Sequence, residues 1–142
     1  MKRIIKTIVL ILWLLLIYSL SNQTGSVSSG LTTKLLTIVG NLINNVITID
    51  VNNFVLRFGF IVRKLAHFTE YFILFILTYE CLKEYKLNKK ALISFIFCVI
   101  YAAFDEFHQL FIDGRSGQIL DVLIDSLGST ASYFFWHRLI KK

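Results

Sequence analysis

Residues 91–110 read ALISFIFCVIYAAFDEFHQL, and after a short turn residues 113–125 continue as DGRSGQILDVLID. Twenty helical residues rise about 30 Å, the thickness of a bilayer's hydrocarbon core, so Ala91–Leu110 reads as a membrane span. Its last turns carry Asp105, Glu106 and His108, and the following run opens with Asp121 and Asp125. Carboxylates placed inside apolar helices on both sides of one turn predict a polar interior within a membrane bundle.

Working outward, Ile119–Leu139 is a further span that closes on Arg138, Lys141 and Lys142. Upstream, the basic block KEYKLNKK (83–90) separates Ala91 from a span over Leu65–Leu82. The chain opens with Lys2, Arg3 and Lys6 and then IVLILWLLLIYSL (8–20). We read residues 4–20 as an uncleaved helix rather than a signal peptide, because the run has no Ala-rich exit and no lipobox cysteine. The expected fold is therefore all-α, a single polytopic membrane domain of four transmembrane helices over residues 4–20, 65–82, 91–110 and 119–139.

Composition agrees. Of 142 residues 56% are hydrophobic and 17% charged, with a mean hydropathy of +0.67, and the charges fall in blocks between apolar runs. The net charge of +6 comes without a basic stripe of interleaved polar readers, which argues against nucleic acid as a partner. Three Lys or Arg stand at the N-terminus, four lie between the second and third spans, and three at the C-terminus, ten of fifteen in all. The positive-inside rule then predicts a multi-pass protein of the cell membrane with both termini cytoplasmic. Cys81 and Cys98 are expected to be free thiols, one at the cytoplasmic end of a helix and one within the bilayer.

Residues 21–60 differ in character. SNQTGSVSSG (21–30) reads as a polar loop, and Leu35, Val39, Leu42, Ile43 and Val46 then share one helical face, as on a helix lying at the membrane surface. A second short helix begins near Asp50 or Asn52, either of which can cap it, and carries Phe54, Val55, Phe58, Ile61 and Val62 to one side before running on toward the next span. One or two interfacial helices are thus expected in the first outer loop.

The ionisable residues inside the spans gather at the outer ends of three helices. Arg63, His67 and Glu70 are spaced i, i+4, i+7, with Lys64 beside them; Asp105, His108 and Gln109 share a face; Asp121 and Asp125 are i, i+4. Gly128, Ser129 and Ser132 continue the last stripe and allow close helix approach. Glu70, Asp105 and Asp125 lie five or six residues inside their helix ends, hence at one level roughly 8 to 9 Å deep. Glu70, Asp105, Glu106, Asp121 and Asp125 outnumber the available cations Arg63, Lys64 and Arg115, a gap that histidine protonation or a bound cation would close. A purely structural reading makes these buried salt bridges that fix helix register. His137, Tyr79, Tyr133 and Trp136 read as ordinary interfacial residues.

At these residues the chain resembles the VanZ-like family of bacterial membrane proteins, named for a protein associated with teicoplanin resistance. The resemblance rests on YSLSNQTG (18–25), RKLAHFTEYFILF (63–75) and YAAFDEFHQLFIDGRSGQILDVLIDSLG (101–128). It implies a role in low-level glycopeptide resistance or in the cell envelope, without implying a defined reaction. Two uses of the site follow. In the first, Arg63, Lys64, Gln109, Arg115 and Ser116 bind a headgroup, a lipid-linked cell-wall precursor or the glycopeptide, with membrane lipids as partners. In the second, a membrane-embedded enzyme acts on such a headgroup, drawing catalytic groups from His67, Glu70, Asp105, Glu106, His108, Asp121 and Asp125. No metal ligand set and no cofactor motif is read from the spacing, and nothing in it defines an oligomer.

Overall fold

The computed structural model describes residues 1–140, less the side chains at positions 137, 139 and 140. The expectations for His137, Lys141 and Lys142 lie outside the described residues. Five helices and no strand are found among those described: α1 Lys2–Ser21, α2 Gly25–Asn44, α3 Val51–Glu84, α4 Lys90–Gln109 and α5 Ile119–Ile140. All-α architecture is as expected. Two of the helices, α1 and α4, are long and apolar enough to cross a membrane. The other long helices, α3 and α5, carry ionisable residues within their length.

Helix α3 sits at the centre and packs against all four others. At the end that holds the N-terminus, Lys6 bridges Glu80 at 2.8 Å and Glu84 at 2.6 Å, and Arg3 donates to the Glu84 carbonyl, so α1 and α3 run antiparallel. Tyr101 of α4 donates to the Leu14 carbonyl, while Tyr18, one turn farther along α1, meets His108, two turns farther along α4, so α1 and α4 run parallel. The core joins Ile17, Tyr71, Leu74, Phe75, Cys98 and Ala102 from these three helices. Cys81 and Cys98 are buried free thiols.

Contact between α3 and α5 is closest. A methyl group added at Gly128 would run into the Phe68 backbone carbonyl, and Ser129 Oγ lies 3.4 Å from the Tyr71 carbonyl. The Gly-Ser stripe read from the sequence therefore does bring two backbones together. Tyr79 and Tyr133, expected as interfacial aromatics, are partly buried and pack on the Phe75 ring, each at 6.2 Å between centroids. Their rings complete a core that small residues on α5 leave thin.

Polarity is inverted relative to a water-soluble bundle. Asp105, Glu106, Gln109, Asp121 and Asp125 are buried, whereas Leu12, Phe104, Leu127 and Phe135 on α1, α4 and α5 are exposed. A polar interior inside an apolar exterior is stable only in an apolar surround, which marks the chain as a membrane protein.

The first loop is shorter than the sequence suggested. Helix α2 begins at Gly25, so most of SNQTGSVSSG is helical, with Ser29 and Thr32 hydroxyls bonded to carbonyls four residues back. The apolar face read for a membrane-surface helix, with Leu35, Val39, Leu42 and Val46, is exposed, while Leu36 and Gly40 are buried, Gly40 against Val51 and Phe54. Gly40 lets the two backbones approach, and the larger side chains are left to the apolar surround. The second short helix does not exist separately. Asp50 accepts from the Asn52 and Asn53 amides and starts α3, which continues unbroken for 34 residues, about 50 Å. Helix α2 packs along the first part of α3, with Gly40 against Val51 and Phe54, so the two form a helical hairpin.

Candidate functional site

The polar residues converge at the end of the bundle opposite the N-terminus. The short α4–α5 loop is held there by backbone contacts: Gly25 N donates to the Asp113 carbonyl at 2.9 Å, and Gly114, at φ +71°, lies directly against Gly25. A side chain at Gly25 would run into the Gly114 carbonyl and separate the loop from α2, while one at Gly114 would be strained by its left-handed backbone.

Arg115 projects from this loop. Its Nη2 donates to the Leu20 carbonyl at 2.9 Å, its Nε to the Gln23 carbonyl at 3.0 Å, and its Nη1 to Gln109 Oε1 at 3.3 Å. The sequence suggested Arg115 as a partner for buried carboxylates; it instead donates to a carbonyl in the last turn of α1, where a cation is also favoured by the helix dipole, and to one in the turn that follows. Gln109 in turn donates to Asp105 Oδ2 at 3.3 Å, linking the loop to the buried acid.

Lys64 forms an ion pair with Asp121, joining α3 to the first turn of α5, and its ammonium lies over the Phe60 ring. His67 Nδ1 stands 3.5 Å from Asp125 Oδ1, one turn deeper. Glu106 reaches from α4 to the start of α5, where Oε2 accepts from Gln118 N at 2.9 Å. Its other oxygen, Oε1, is buried without a hydrogen-bond partner, as are both carboxylate oxygens of Asp125. One ligand atom from each of His67, Glu106 and Asp125 lies within 4.8 Å of the others.

Two cavities of about 250 and 240 Å³ open above this layer. Both are lined by Arg63, His67, Arg115 and Ser28; the first adds Glu70 and Asp105, the second Lys64, Gln109, Ser116 and Asp121. Arg63, His67 and Glu70 thus do share a face. Arg63 makes no hydrogen bond or ion pair among the described residues, so the expectation that it neutralises a buried acid is not met. Its position nearer the end of the bundle leaves it exposed.

Nine sequence-chosen residues therefore line the cavities, and Glu106 and Asp125 lie behind His67. His108 does not join them. Its ring packs 5.1 Å from Tyr18 and lines neither cavity, because at i+3 from Asp105 it stands about 60° around α4, on the side toward α1. Ser21, Gln23, Ser28 and Thr32 line the first cavity and were missed as site residues. Their only signal was the polar composition of residues 21–32.

A model of the VanZ/LLP1 family matches residues 6–141. The chain belongs to this family. The matched span takes in α1 to α5, so both cavities and every polar residue around them belong to the VanZ/LLP1 domain. No curated protein and no solved structure matches the chain.

Proposed function

We propose that this VanZ/LLP1 protein crosses the membrane four times, through α1, α3, α4 and α5, with both termini cytoplasmic, and that its paired cavities bind the anionic headgroup of a lipid or lipid-linked cell-wall precursor. Its cellular role on this reading is in teicoplanin resistance or envelope maintenance. The supporting observation is Arg63, an arginine on the wall of both cavities that has no hydrogen bond or ion pair among the described residues. A guanidinium is suited to bidentate contact with phosphate or carboxylate. Ser28 and Ser116 add hydroxyls nearby, and the exposed apolar faces of α2 and early α3 supply a surface for acyl chains.

The test is thermal unfolding of the full chain in nanodiscs with phosphatidylglycerol, a polyprenyl-pyrophosphate-linked precursor, or teicoplanin. A ligand at one hundred times its Kd stabilises the native state by about 2.7 kcal/mol. We expect stabilisation by an anionic lipid or precursor and its loss in Arg63→Ala. Unchanged binding and unchanged resistance in that variant would sink the reading, and stabilisation by teicoplanin alone would replace it with direct antibiotic binding.

One observation favours a second reading, an enzyme acting on the same headgroup. His67 lines both cavities with a carboxylate behind it, the arrangement that orients an imidazole as a general base. Headgroup release from a bound precursor, abolished in His67→Gln while binding persists, would establish it; no turnover across lipid classes would exclude it.

A further inference from the structure

Charge around the buried layer does not close. Lys64 is committed to Asp121, Arg115 to two backbone carbonyls and Gln109, and Arg63 faces the cavities. Among the described residues no lysine or arginine pairs with Glu106 or Asp125, which are 4% and 0% exposed. Three of their four oxygens lack a hydrogen-bond partner. Buried carboxylates are ordinarily paired, hydrogen-bonded or ligated to a metal.

We infer that His67, Glu106 and Asp125, brought together from α3, α4 and α5, form a binding site for one divalent transition-metal ion of the Zn²⁺ or Mn²⁺ kind. Two carboxylates and a neutral imidazole carry two negative charges, matching a divalent ion. The mixed nitrogen and oxygen donors favour a transition metal over Mg²⁺ or Ca²⁺, which take oxygen ligands. Geometry supports the assignment. Ligand atoms about 2.1 Å from a tetrahedral ion stand about 3.4 Å apart, and His67 Nδ1 and Asp125 Oδ1 are already 3.5 Å apart. The remaining ligand atom lies within 4.8 Å, so side-chain rotation closes the set without moving a helix. Glu106 is further held by Gln118 N through its other oxygen, which orients the free one. Spacing concealed the site because each helix supplies one ligand, and no two of the three lie in the same segment.

The inference is independent of anion binding, since it uses atoms behind the cavities rather than Arg63. The test uses the full chain in nanodiscs, stripped with EDTA, dialysed, and loaded with Zn²⁺ or Mn²⁺ alone. We expect one ion retained per chain, a raised Tm, and nitrogen coupling from one imidazole in pulsed electron paramagnetic resonance of the Mn²⁺-loaded wild type. Retention at fixed free metal should fall at least tenfold in Asp125→Asn and Glu106→Gln. It should persist in Asp113→Asn, whose residue is exposed on the loop, and in Arg63→Ala, which loses only the anion. The spectrum requires no variant to fold. No ion retained by folded wild type, no nitrogen coupling, or equal retention in the two carboxylate variants overturns the site and leaves the anion reading standing.

Discussion

The Arg115 guanidinium of the α4–α5 loop donates to the Leu20 carbonyl at the end of α1 at 2.9 Å, across 95 residues of sequence. Together with the bond to the Gln23 carbonyl it ties the first helix to the last loop. Hydrogen bonds from a charged group contribute about 1.5 to 3 kcal/mol. Arg115→Lys, which keeps the charge and loses the fork, is therefore expected to destabilise by about 2 kcal/mol and to speed proteolysis at residues 110–118. Equal stability and proteolysis in wild type and variant would refute this strap.

Lys64 and Asp121 are ion-paired with side chains only 16% and 10% exposed. Removing one partner of such a pair leaves the other charge stranded, at about 3 to 5 kcal/mol. Lys64→Met should approach that loss in a denaturation experiment, and Lys64→Met with Asp121→Leu should recover most of it. A double variant no more stable than Lys64→Met would instead show that Asp121 has a task beyond pairing.

Gly128 lies under the Phe68 carbonyl, at the tightest approach of α3 and α5. Because the obstacle is backbone, a side chain here cannot be accommodated by a rotamer change. Gly128→Ala should cost about 1 to 3 kcal/mol, the usual range for overpacking, and Gly30→Ala, with open space around it, should be neutral or stabilising. Comparison of the two melting temperatures checks the difference.

Glu84, past the apolar part of α3, is held below the ordinary carboxylate range first by its hydrogen bond from Lys6, which outweighs a small opposing effect of burial. A depressed folded-state value contributes stability that is fully present above the unfolded value of 4.5 and is lost as pH falls through the folded one. The wild type should thus lose melting temperature on acidification below that value. Glu84→Gln should lose less over the same window, the difference being small because the group is solvent-accessible. Identical acid-side slopes would remove Glu84 from the α1–α3 clamp.

Much of this protein was legible one residue at a time. Apolar run length placed α1, α4 and α5 to within about two residues, and i, i+4 spacing put Arg63, His67 and Glu70 on one cavity wall. Helical rise set Glu70, Asp105 and Asp125 at a common level. These are local properties, governed by the period of the helix and by the cost of charge in an apolar medium, so the sequence by itself determined them. Helical spacing, however, gives only angles between residues on one helix and leaves the rotation of each helix toward its neighbours open. Tertiary packing settled that rotation: it turned His108 toward Tyr18, set Gly40 against α3, and brought Glu106 and Asp125 to His67. It also gave Arg115 its two backbone partners, carbonyls at and just past the end of a distant helix, which carry no side-chain signature in the sequence.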